Sequence, residues 1–114
     1  MQIPAQVTFR DMPVSDEIQQ ACWKESEKLD RYYDRITSCR VTVSMPHKHH
    51  RKGNLYDIRI DLTVPGGELV VNREPAKHHQ DEDPHVAVHD AFKRIRRQLE
   101  DFVQKQRGDV KSHD

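Results

Sequence analysis

A chain of 114 residues, 34% of them hydrophobic and 33% charged, supports one modest core, so a single thin domain over residues 1–105 is expected, with 106–114 as a short polar tail. Its 19 basic and 19 acidic residues cancel, which leaves nucleic-acid binding open because a neutral total can hide separated faces. No apolar run reaches the length of a membrane span and the start lacks the apolar stretch of a signal peptide, so a cytoplasmic protein with no membrane partner is expected.

Ile3 to Phe9 reads as a first strand. Ser15-Asp16-Glu17 then supplies a capping serine and acids for a first turn. Apolar residues recur near the helical period at Val14, Ile18, Ala21, Cys22, Leu29, Tyr32, Tyr33 and Ile36, predicting a helix from Asp16 to Tyr33 or Asp34. Glu25 and Ser26 interrupt that face, where thinner packing is expected. Cys39, Val41, Val43 and Met45 alternate with polar residues, the period of a half-buried strand. After the cationic loop His47–Asn54, alternation resumes at Tyr56, Ile58, Ile60, Leu62 and Val64. Pro65-Gly66-Gly67 predicts a hairpin turn, and Leu69 with Val71 marks a fourth strand. An irregular acidic connection follows from Glu74 to Asp83. The last helix starts at Asp83 or Pro84, buries Val88, Ala91, Phe92, Ile95, Leu99, Phe102 and Val103, and is expected to stop near Gly108.

The order β-α-β-β-β-α defines an α+β fold. Two amphipathic helices and a sheet with one apolar face are satisfied together when both helices pack on one face of the four-stranded sheet. Cys22 and Cys39 have neither metal-like nor redox-motif spacing and sit in apolar phase, so buried reduced thiols are expected.

At about 100° per residue, Lys24, Lys28, Arg31 and Arg35 fall in one line along the first helix, with Asp16, Glu27, Asp30 and Asp34 on the far side. Trp23 is expected near those acids, outside the core. On the second helix Lys93, Arg94, Arg96, Arg97, Lys105 and Arg107 spread opposite the apolar stripe. Side by side, the two helices would form a cationic tract suited to phosphates. The same charges also serve as a solvated helix face with i, i+4 pairs. His47, His49 and His50 share one loop and His78 and His79 another, but no ligand-spacing motif joins them. Solvated histidines are expected, with no metal and no cofactor; a histidine-rich metal-binding protein stays as an alternative. No nucleophile motif, glycine-rich phosphate loop or carboxylate pair appears, so no enzymatic reaction is assigned.

Val14-Ser15, Lys28-Leu29 with Tyr32-Tyr33-Asp34-Arg35-Ile36, Gly66-Gly67-Glu68-Leu69, and Asp83, Ala87, Val88 and Arg97-Gln98-Leu99 together resemble the ribosome hibernation-promoting factor, or ribosome-associated inhibitor A, family. At this length the chain resembles the short form. The resemblance implies the same β-α-β-β-β-α fold, similar to a double-stranded RNA-binding domain. It further implies binding to the small ribosomal subunit and its rRNA in the transfer-RNA and messenger-RNA cleft, silencing idle ribosomes in stress or slow growth. DNA is not an implied partner, and a monomer is expected. Carried over by position, the resemblance nominates Lys28, Arg31, Arg94 and Arg97; the helical stripes add Lys24, Arg35, Lys93 and Arg96. A diverged protein-interaction module of the same fold, motivated by an exposed Trp23, is the other alternative.

Overall fold

The computed structural model describes residues 1, 4–45, 55–75 and 82–111, with side chains to 108. Its elements follow the predicted order: β1 (Gln6–Arg10), α1 (Asp16–Tyr32), β2 (Ser38–Ser44), β3 (Asp57–Val64), β4 (Gly67–Arg73) and α2 (Pro84–Lys111). The sheet runs β1-β2-β3-β4. β1 pairs with β2 in parallel, a geometry that needs a long crossover, and α1 supplies it. The other two pairings are antiparallel.

The strand period settles which face is covered. Register places Val41 opposite Ile60 and Ile60 opposite Val71, and all three are buried with Cys39, Val43, Ile58, Leu62 and Val64. Their neighbours Arg40, Arg59, Glu68 and Asn72 face outward and are exposed. Ile18, Cys22 and Leu29 of α1 and Ala87, Val88, Ala91, Phe92, Ile95, Leu99 and Val103 of α2 close the inner face. Both helices therefore share one face of the sheet, as the patterning requires.

Local chemistry sets the boundaries. The Ser15 hydroxyl accepts from the Ile18 amide at 3.2 Å, capping α1. That helix stops at Tyr32, because Tyr33 takes an extended backbone and returns its amide to the Leu29 carbonyl. Pro65 and Gly66 alone join β3 to β4, and Gly66 has φ +89°, which a β-carbon would disfavour. The last helix exceeds the sequence reading: Gly108 keeps helical backbone, and α2 continues to Lys111. A lone glycine weakens a helix by about 1 kcal/mol but does not end it without a left-handed cap.

Three side chains depart from expectation. Val14 lies outside α1 and is 72% exposed. Ser26 is buried, and packing there is closed rather than thin because its hydroxyl donates to the Trp23 carbonyl at 2.8 Å. Trp23 itself packs against the core and donates its indole N–H to the Ala5 carbonyl at 2.8 Å. The segment entering β1 crosses this flank of α1, which a helix considered alone does not reveal.

One charged cluster went unread in the sequence. Arg73 occupies an inward position of β4 and is 6% exposed. Its guanidinium donates to Glu82 at 2.5 and 3.0 Å, to the Tyr56 carbonyl at 2.9 Å and to Asp90 at 3.0 Å. Glu82, 8% exposed, also accepts the Tyr56 amide at 3.0 Å. The cluster ties the end of β4, the start of β3 and the first turns of α2 to one cation. Burial tends to raise the Asp90 carboxyl, but hydrogen bonds and charge from Arg73 and Arg94 outweigh it and hold the group below 3.8.

Glu82→Gln is expected to cost about 3 kcal/mol, since it strips a buried cation of its principal counter-charge. Urea unfolding measures this, and an Arg73→Leu/Glu82→Leu double variant should cost less than the single change. Because the native Asp90 pKa is depressed, its stabilisation is complete above about pH 4 and lost as pH falls through the native value. The stability gap between the natural protein and Asp90→Asn should therefore narrow in acid, as unfolding at stepped pH will show. Burial, then Cys39 and Glu25, pushes the Cys22 thiol up to about 12. Burial, then Asp61, does the same for Cys39. Neither should react with a disulfide reagent at neutral pH until the protein unfolds, when both should.

Candidate nucleic-acid interface

The two helices lie side by side and point the same way. Glu17 meets His85 at 3.0 Å near the two helix starts, and Glu25, at the middle of α1, meets His89 at 3.5 Å. Further on, the Arg96 guanidinium sits 4.8 Å above the centre of the Tyr32 ring, a cation–π contact across the seam. At about 100° per residue, His85, His89 and Arg96 share one flank of α2, which faces α1. Asp90, Arg94 and Gln98 share the opposite flank toward β4, where Gln98 donates to the Val70 carbonyl at 3.0 Å. Lys93 and Arg97 form the crest between them.

This arrangement divides the eight expected cations. Lys93 and Arg97 are exposed and, among the described residues, have no hydrogen bond or ion pair, so their charge is available to a ligand. Arg96 lies beside them at the seam, paired with Glu100 at 3.2 Å. Lys28 and Arg31 continue the surface on α1, paired with Glu25 at 3.2 Å and with Glu27 at 4.0 Å. These exposed pairs are worth no more than about 1 kcal/mol each, so a phosphate can displace them. Five cations thus share the outer surface of the helix pair.

The other three are placed differently. Arg94 turns toward β4 and pairs with Asp90 at 3.2 Å, the carboxylate that also holds Arg73. Its position serves the fold as much as any ligand. Arg35 lies beyond the end of α1 and so leaves the straight line expected for it; with Arg31 and Arg107 it borders a recess between the ends of the helices. Lys24 lines a separate recess beside Glu17, Glu25, Glu27 and His85, where acids surround it. Trp23 borders that recess too, but its N–H is committed to Ala5, which removes the exposed tryptophan that motivated a protein-interaction module.

Among the described residues, no group of three or more histidine, cysteine or acidic side chains is placed to hold a metal. The clusters at His47, His49, His50, His78 and His79 lie outside the described residues. No described helix is long and apolar enough to cross a membrane.

Comparison with known proteins places the chain in a family. Residues 5–107 match the family described as sigma 54 modulation protein / S30EA ribosomal protein. Over 98 residues the chain is 30% identical to a protein of Deinococcus radiodurans named ribosome hibernation promotion factor, covering 85% of this chain and 47% of that one. The chain therefore spans about half the length of that relative. Among solved structures, the N-terminal domain of Protein Y from Thermus thermophilus superposes with a TM-score of 0.68 at 24% identity, over 88% of this chain and 99% of that one. A ribosomal subunit interface protein from Coxiella burnetii gives 0.69 at 13% identity, over 88% and 97%. At these identities the two structures speak for the fold. The match over residues 5–107 decides the family, and the chain belongs to the sigma 54 modulation protein / S30EA ribosomal proteins.

Proposed function

We propose that this protein is a ribosome-associated inhibitor of translation that occupies the transfer-RNA and messenger-RNA cleft of the small ribosomal subunit. It silences idle ribosomes by filling the space that the substrates need, without chemistry. The reading rests on family membership, and on likeness to a protein whose name states ribosome hibernation. The observation that carries the mechanism is the crest of α2, where Lys93 and Arg97 stand exposed and unpaired among the described residues. Arg96, Arg31 and Lys28 extend it across the seam.

Cations without counter-ions release the counter-ions of RNA on binding, which gives affinity that falls with salt. The spread along two helices favours contacts to backbone phosphates over base edges, as expected when shape rather than sequence is recognised. One copy suffices to obstruct one subunit, and the cytoplasm is the compartment where it would act.

Sedimentation with separated ribosomal subunits across a salt series tests this. The natural protein should travel with the small subunit and leave it as salt rises, and prior loading of transfer RNA and messenger RNA should reduce binding. Lys93→Glu/Arg97→Glu should abolish binding at intermediate salt while leaving urea stability nearly unchanged, because neither residue supports the fold. Arg94→Ala is expected to show the reverse pattern, losing some stability through Asp90 and retaining most of its binding. Equal small-subunit binding by the Lys93→Glu/Arg97→Glu variant would overturn the reading.

A further inference from the structure

Where the helices end, a different kind of site opens. α1 stops at Tyr32 while α2 runs on to Lys111, and a recess of about 760 Å³ lies between them. That volume falls within the range of small-ligand sites. Arg31 and Arg35 border it from one helix end and Arg107 from the other. Asp34 is the acid in this lining, so three guanidiniums face one carboxylate. Among the described residues Arg35 and Arg107 have neither a hydrogen bond nor an ion pair. Arg31 has an ion pair with Glu27 at 4.0 Å.

Two tyrosines complete the recess. Tyr33 packs against the core and gives a fixed wall. Tyr32 carries Arg96 over one face of its ring, yet remains 38% exposed and borders the recess. Planar guanidiniums hold phosphate oxygens two at a time, and aromatic rings stack on bases of any sequence. Convergence of both within one recess matches a molecule that carries both groups.

We propose that this recess binds a phosphorylated nucleotide, its base stacked on Tyr32 and its phosphate held by Arg31, Arg35 and Arg107. The nucleotide is either one unit of a single-stranded RNA or a free nucleotide; base and phosphate are common to both. The site lies beyond the α2 crest, shares Arg31 with the outer cationic surface, and goes beyond obstruction of the ribosome.

Amide NMR of the isolated protein, titrated separately with ATP, inorganic pyrophosphate and a five-residue oligoadenylate, tests the proposal. ATP or the oligonucleotide should shift amides of residues 31–35 and 103–107 and saturate, with pyrophosphate weaker. Saturation by ATP identifies a free nucleotide; saturation by the oligonucleotide alone identifies an RNA strand. Tyr32→Ala should weaken nucleotide binding about tenfold, the scale of one lost stack, and Tyr32→Phe should restore it. Arg35→Ala/Arg107→Ala should weaken ATP and pyrophosphate alike. Three outcomes overturn the proposal: no saturable shift, shifts centred on Lys93 to Arg97, or pyrophosphate matching ATP with Tyr32→Ala unchanged. Because no ribosome is present, none of these outcomes bears on small-subunit binding.

Discussion

The buried guanidinium of Arg73 is the constraint on which the placement of α2 depends. A cation in an apolar layer must be matched almost completely, since each unmet donor carries a desolvation cost. Here the match comes from Glu82, Asp90 and the Tyr56 carbonyl, which belong to two separate stretches of chain, the start of α2 and the entry to β3. Directional bonds therefore fix where the segment before α2 joins the sheet, a choice that non-directional hydrophobic burial would leave looser. Together with the buried stripe from Ala87 to Val103, that anchor fixes which way the cations of α2 face.

The same anchor separates two uses of positive charge on one helix. Asp90 binds Arg73 inward and Arg94 outward, so Arg94 belongs to the support of the surface. Lys93 and Arg97 rise from the crest with no such duty. Neighbouring basic residues of equal formal charge thus divide into a structural and an available set, and charge counting along a helix does not distinguish them.

Periodicity made most of the fold legible. Alternation at Cys39 to Met45 and Tyr56 to Val64 located β2 and β3 closely, and the serine-acid run marked the start of α1. The candidate surface was legible only in part. Lys93, Arg96 and Arg97 stand exposed where the helical stripe puts them, because solvent-facing positions obey geometry alone. Arg35 escaped because the wheel assumes a helix that Tyr33 ends. Trp23 escaped because its partner, the Ala5 carbonyl, is contributed by a segment distant in sequence. Arg73 and Glu82 looked like ordinary surface charges in a polar stretch; the one available signal was that Arg73 continues the inward phase of Leu69 and Val71. Long-range pairing accounts for the misses at Trp23, Arg73 and Glu82, and a local helix stop for the one at Arg35.

The parallel run of α1 and α2 has a mechanical consequence. Two helix dipoles aligned in the same sense repel rather than attract, so this pair lacks the mutual electrostatic support of an antiparallel hairpin. Its polar seam contacts, among them Arg96 on Tyr32, are individually weak. What keeps the helices abreast is the apolar core that Ile18, Cys22 and Leu29 of α1 share with Val88, Phe92 and Ile95 of α2 above the sheet. The spacing between their two rows of cations is therefore a property of that shared core, set as the domain folds, and neither helix carries that gauge when cut away from it.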